Sequence, residues 1–330
     1  MKKILFITLA ISLAGHTRSQ KIYENYTRVN DVLRYGEGEK QVFPCGSKGF
    51  TLIMPDTKEE LKGIVLMLDD DKIDLKDTAQ KHYIQIHQQA NARGFAVLDI
   101  STGIPVDLYF SSTSLIYVDS VMKEVFFTYH LPNKNIFLMG SMVSGHRALK
   151  YIEYCRSGRS VFHPAIKGVV LSESAIDWVR QWYECQKQVR DHMTDVQTFE
   201  GNFLTYLFKQ NLHETPITDI QKIIDFSPYS YFDTKMEKPR LYQDLAIRAY
   251  TYADIRYWFS APGKGVYDSN YPDMSGFINE QVWVGNKKAS LIVFSSSLTD
   301  PLQKDLRKQS ATWNLVDRNE LMDWVVSQTK

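Results

Sequence analysis

The sequence predicts an α/β fold in which a mostly parallel sheet carries helices on both faces. Short, mostly apolar runs at 63–68, 95–100, 136–139 and 166–171 read as strands buried on both sides. Segments of helical spacing at 77–93, 113–130 and 145–155 fall between them, and that alternation implies a layered sheet joined by right-handed crossovers. Two helical runs, 176–190 and 196–212, then follow without a strand between them, which predicts a helical cap inserted at about 174–225 over the sheet's upper edge.

The elements follow in order. Residues 1–19 read as a secretory signal: Lys2 and Lys3 supply the basic start, 4–14 the apolar run, and Thr17 and Ser19 the small positions before a cut ahead of Gln20. An uncleaved anchor is the alternative, though the run is short for a membrane span. Residues 20–330 then form one domain, expected to be periplasmic or secreted, with no integral membrane segment after cleavage. Residues 21–39 are polar and mixed, an irregular arm with a short helix near 30–35. Strands at 40–43 and 50–54 flank Pro44 and the turn residues of 45–49, a pattern for an edge hairpin. Asp77 is placed to cap the first helix and Gly94 to stop it. Strands at 245–250 and 291–294 and an amphipathic helix at 319–327 close the chain.

Composition narrows the function classes. The 330 residues hold 39 Lys and Arg against 38 Asp and Glu, so no broad field attracts nucleic acid or an anionic membrane. Hydrophobic content of 44% belongs to a folded globular protein. Cys45, Cys155 and Cys185 are odd in number; Cys155–Cys185 is one conceivable bridge, and buried free thiols are the alternative. No cysteine pair has metal-site spacing, and Asp69-Asp70-Asp71 lacks the spaced ligands of a calcium loop, so neither metal nor cofactor is expected.

The chemistry-bearing stretch is 135–151. Strand 136–139 meets a small-residue turn and then a helix, the layout of a nucleophile elbow, in which G-x-S-x-G lifts a serine above the sheet. Two registers place small residues two before and two after the apex: Gly140 and Ser144 around Met142, or Ser141 and Gly145 around Val143. Only the first has the leading glycine, so Met142 is read as the apex. A thioether cannot be activated to attack a carbonyl.

The chain resembles the α/β-hydrolase superfamily, and in particular secreted bacterial serine esterase-like proteins with an Ile-Phe-Leu-x-Gly-x-Ser-x-x-Gly elbow and a terminal Trp-x-x-Val-Asp segment. The resemblance runs over about 50–326 and rests on 136–151, 254–258, 276–288 and Trp313-Asn-Leu-Val-Asp317. It implies a nucleophile, acid and base in that order, with an oxyanion hole partly built after an early strand. Carried onto this chain, the nucleophile slot is Met142, the acid slot Asp254 and the base slot Ala311. No histidine follows His213. In the oxyanion loop stand Asp69, Asp70 and Asp71, whose carboxylates oppose a developing oxyanion.

The expectation is a hydrolase fold without hydrolase chemistry, one that binds an as yet unspecified ligand or protein partner. Candidate ligand contacts are Asp69, Asp70, Met142, Trp178 and Tyr252; Trp178 and Trp182, four apart, also suit a cap helix glued to the core. Two alternatives stand beside it. An active esterase or peptidase would use Ser141 or Ser144 with a noncognate base such as His146. A structural or interaction subunit would have no small-molecule site.

Overall fold

The computed structural model describes residues 20–35, 41–77, 81–253, 263–295 and 312–329. The four apolar runs become β5 (Gly63–Asp69), β6 (Phe95–Thr102), β7 (Ile136–Ser141) and β8 (Ile166–Ser172). With β9 (Ala246–Tyr252) and β10 (Ala289–Phe294) they pair in parallel. Their residues sort by pleat: Ile64, Leu66 and Leu138 enter one core, and Val65, Met67, Phe137 and Met139 the other. Helices α2 (Ser112–Thr128), α3 (Val143–Arg156) and α7 (Tyr271–Trp283) fill the first core with Val118, Val125, Leu149 and Phe277. Helices α1 (Lys81–Ala92) and α8 (Arg318–Ser327) fill the second with Ile86, Ala90, Leu321 and Val325. Each of the Val, Leu, Ile and Phe side chains among them contributes about 1.5–3 kcal/mol when fully buried, so the sheet's two apolar faces fix the layering.

Two antiparallel strands extend this sheet, β4 (Ser47–Met54) against β6 and β1 (Lys21–Arg28) against β4. The full order is β1-β4-β6-β5-β7-β8-β9-β10. The segment expected to be an irregular arm is therefore an edge strand, ordered by the backbone of β4 although its own side chains stay mostly exposed. The expected hairpin also re-pairs. Residues 41–44 form β3, which joins β2 (Val32–Tyr35) in a separate two-stranded sheet, and β2 lies where a short helix was expected. Strand pairing overrides local propensity in all three places. Helix α7 was not anticipated, yet Met274, Phe277, Ile278 and Gln281 bury one face at helical spacing.

Between β8 and β9 run α4 (Trp178–Arg190), α5 (Asp195–Leu212) and the short α6 (Ile220–Phe226), one helix more than the two runs read from the sequence. Asp177 caps α4 by accepting from the Val179 and Arg180 N–H groups. These helices share a third core, in which Trp178, Trp182, Phe203, Phe208 and Phe226 pack with Tyr35 and Leu108. The three cysteines are free thiols. Among the described residues no helix is long and apolar enough to cross a membrane.

β6 lies on one side of β5 and β7 on the other. The strand order thus reverses at β5, and in parallel sheets ligands bind beyond the carboxyl ends of the strands at such a point, here β5 and β7. Asp69 ends one of these strands, and Met142 follows the other.

Candidate functional site

Met142 stands between β7 and α3 with φ 53° and ψ −120°, a backbone state that side-chain-bearing residues rarely occupy. The packing of its neighbours holds it there. A Cβ on Gly140 would lie 2.4 Å from the Gly145 nitrogen and the Ser144 carbonyl carbon, and one on Gly145 would lie 1.9 Å from Ser174 Oγ. Only glycine lets strand and helix approach so closely. The Met142 N–H donates to the Ser172 carbonyl at 2.9 Å, which ties the turn to β8. The residue is 48% exposed, and its sulfur stands 4.0 Å from Asn270 Nδ2.

Among the described residues the alternative nucleophiles meet no histidine. Ser144 is buried and donates to Asp69 Oδ1 at 2.7 Å. Burial pushes the Asp69 carboxyl up to about 6, against the pull of the Ser144 hydrogen bond and the Arg147 charge. His146 turns away into the third core. Its Nδ1 accepts from the Trp178 indole N–H at 2.9 Å, which leaves Nε2 to donate to the Leu108 carbonyl at 2.9 Å. Burial and the nearby Lys150 hold its pKa well below the usual value, so the ring is neutral with both nitrogens engaged. Among the described residues, no histidine makes a hydrogen bond to Ser141 or Ser144.

The three aspartates after β5 have separate partners. Asp69 serves Ser144. Asp70 Oδ2 accepts from the Val106 N–H at 2.9 Å and lies 3.3 Å from Arg147 Nη2. Asp71 Oδ1 accepts from the Ser47 and Lys72 N–H groups, each at 2.7 Å. Among the described residues no group of three or more His, Cys, Asp or Glu side chains is placed to hold a metal ion.

Asp69, Asp70, Met142 and Ser144 therefore gather at the carboxyl ends of β5 and β7. Trp178 does not join them: at 1% exposure it is a core side chain that reaches His146, and it offers no face to an open cleft. Tyr252 ends β9 with its N–H on the Glu173 carboxylate. Asp254 and Ala311, the acid and base slots, lie outside the described residues, as do Tyr257, Trp258 and residues 1–19.

Sequence reasoning passed over Glu173, Arg147 and Asn270. Glu173, at φ 45°, follows β8, and burial raises its pKa against hydrogen bonds from Thr251, the Tyr252 N–H and Thr312. Asn270 donates to the Glu173 carbonyl at 2.9 Å and so links that loop to the apex. The signal for Arg147 was present: a permanent cation inside the first turns of a helix that the fold must bury.

No family model matches the chain, and no curated protein matches it significantly. Solved structures do. The chain is similar to carboxyl esterase 2 of Tuber melanosporum over 97% of its length and 89% of that chain, at 12% identity and a TM-score of 0.52. It is similar to MPT51 of Mycobacterium tuberculosis over 93% of its length and 99% of that chain, at 8% identity and a TM-score of 0.52. An esterase of Rhizomucor miehei matches 94% of it over 85% of that chain, at 10% identity and a TM-score of 0.50. At such identities the likeness is one of fold, and the chain has an α/β-hydrolase fold.

Proposed function

We propose that this is an exported α/β-hydrolase-fold protein that has lost serine-hydrolase chemistry and acts by binding a ligand or protein partner at the strand ends beside Met142. The observation that carries the reading is Met142 itself, strained at φ 53° and 48% exposed where an elbow would present its nucleophile. Strain of this kind costs on the order of 1–3 kcal/mol and persists where the surroundings over-determine it, as at functional sites. A thioether there can pack against an apolar group but cannot form an acyl-enzyme.

Further support comes from the engagement of His146 by Trp178 and Leu108 and of Ser144 by Asp69. Neither couple pairs a serine with an imidazole, the base that the resemblance implies. Export is the part of the reading that rests on Lys2, Lys3 and the apolar run after them.

The deciding experiment is exposure of the purified protein to a fluorophosphonate probe, followed by peptide mapping. The expected result is no labelled serine. Stoichiometric labelling of Ser141 or Ser144 would overturn the loss of hydrolysis. Recovery of a mature chain beginning at Gln20 from the periplasm or medium is the matching check on export.

A further inference from the structure

We infer that Arg147 and the Val106 N–H form a carboxylate-binding subsite at these strand ends, which Asp70 fills in the unliganded chain and yields to the carboxylate of a ligand. The inference rests on reading the strand ends as a binding site and names the group that site would take.

Arg147 leaves α3 about one turn beyond the apex, and its side chain is only 2% exposed. Most of its donors meet neutral acceptors. Nε donates to the Asp107 carbonyl at 2.6 Å, and Nη1 lies 3.4 Å from both the Leu68 carbonyl and Ser144 Oγ. Neutral acceptors orient a guanidinium without cancelling its charge, and a buried cation is costly without an anion beside it. Nη2 reaches that anion, Asp70 Oδ2, at 3.3 Å.

The second donor comes from another element. The Val106 N–H reaches the same oxygen at 2.9 Å from the loop after β6. Val106 holds φ 49°, a state disfavoured for a β-branched residue. His146 and Arg147 brace that loop through the Leu108 and Asp107 carbonyls. A backbone N–H and a guanidinium fixed by different parts of the fold thus converge on one carboxylate oxygen, and charge-assisted bonds of this kind are the stronger class.

Asp70 is the movable member of the set. Its side chain is 41% exposed, on the turn that follows β5, whereas Arg147 is fixed. Asp69 is committed to Ser144 and Asp71 to the Ser47 and Lys72 N–H groups, so neither replaces it. An internal carboxylate competes at an effective concentration in the millimolar range or above. A bare external carboxylate therefore displaces it poorly, and a ligand needs a second contact, for which Met142, exposed at the head of the helix that carries Arg147, is the apolar candidate. The ligand class that follows is a carboxylate carrying an apolar group.

The test is Asp70→Gly, titrated with sodium formate and, at matched ionic strength, sodium chloride, with binding followed by calorimetry and thermal melting. The expected result is saturable formate binding at least tenfold tighter than in the wild type and not reproduced by chloride. Equal responses of the two proteins to formate, or of the variant to the two salts, would overturn the inference. If Asp70→Gly does not fold in chloride, its refolding yield becomes the readout: recovery in formate supports the subsite, and equal failure in both salts sinks it. Formate binding needs no natural ligand and no result from the fluorophosphonate probe. A labelled serine with formate binding intact removes the loss of hydrolysis alone, and an unlabelled chain whose variant ignores formate removes the subsite alone.

Discussion

Thr312 donates its hydroxyl to Glu173 Oε1 at 3.1 Å. Thr312 directly follows Ala311, where the resemblance places the base, and Glu173 follows the strand beside the elbow strand. A carboxylate and the terminal segment thus do meet at the sheet's edge, but through a hydroxyl instead of an imidazole. The same oxygen accepts from Thr251 Oγ1 at 2.7 Å and from the Tyr252 N–H. It is a clamp joining the loop after β8, the end of β9 and the terminal segment, with neutral donors on every side.

A serine placed at the apex should therefore bring no turnover by itself. Met142→Ser places a hydroxyl on the strained apex, yet no histidine follows His213 to deprotonate it. Loss of the histidine alone costs a triad about a millionfold in turnover. Hydrolysis of p-nitrophenyl acetate by Met142→Ser should match that of the wild type, without a burst. A burst of one equivalent would mean that a base reaches the apex after all.

Met142→Gly should stabilise the protein. The apex backbone, at φ 53° and ψ −120°, is open to glycine without strain. Release of about 1–3 kcal/mol of strain exceeds the roughly 0.5–1 kcal/mol of added unfolded-state entropy. A net gain of about 1 kcal/mol should appear as a melting point raised by about 2 °C. A variant that melts at or below the wild type would show that the methionine packs well enough to cancel its strain.

What was legible follows from the range of the interactions. Runs such as 136–139 declare central strands because both faces must be apolar, and Gly140 declares the elbow because a Cβ would strike the Ser144 and Gly145 backbone. The edge was not legible. Lys21–Arg28 carries charge throughout and becomes a strand only because β4 offers it a backbone. The site was half legible. Asp69–Asp71 was visible as an acidic turn, but the different partners of the three residues depend on Ser144, Arg147 and Ser47, which lie far off in sequence. Glu173 stood between two serines with no periodicity to mark it.

Asp69→Asn should change how stability depends on pH. The folded carboxyl, pushed up to about 6 from an unfolded value of 3.8, holds a proton that the unfolded chain releases. Its contribution is therefore full below pH 3.8, declines as pH rises through about 6, and is flat above. Asparagine can still accept from Ser144 and has nothing to titrate. Urea midpoints at pH 4.5 and 7.5 should show the variant gaining on the wild type at the higher pH. Asp177, also raised to about 6, titrates in both proteins and cancels in the difference. An unchanged difference between the two pH values would mean that Asp69 ionises as an ordinary surface carboxylate.

The cap helix and the apex should prove coupled through Arg180. Its Nε donates to Asp273, Nη1 to Glu184 at 2.7 Å and Nη2 to Asn270 Oδ1 at 2.7 Å, and Asn270 in turn bonds the Glu173 carbonyl and approaches Met142. Asp273 is 1% exposed and keeps the Ile176 and Asp177 N–H groups when Arg180 is removed, but it loses its cation. Breaking one side of such a pair costs about 3–5 kcal/mol because a charge stays buried and unpaired. Arg180→Met should therefore unfold at markedly lower urea. Asp273→Asn added to it removes the more deeply buried of the two charges left without Arg180, Asp273 and Glu184, so the double variant should be less destabilised than the sum of the single ones by about 1–3 kcal/mol. Strict additivity would show that the two side chains act independently.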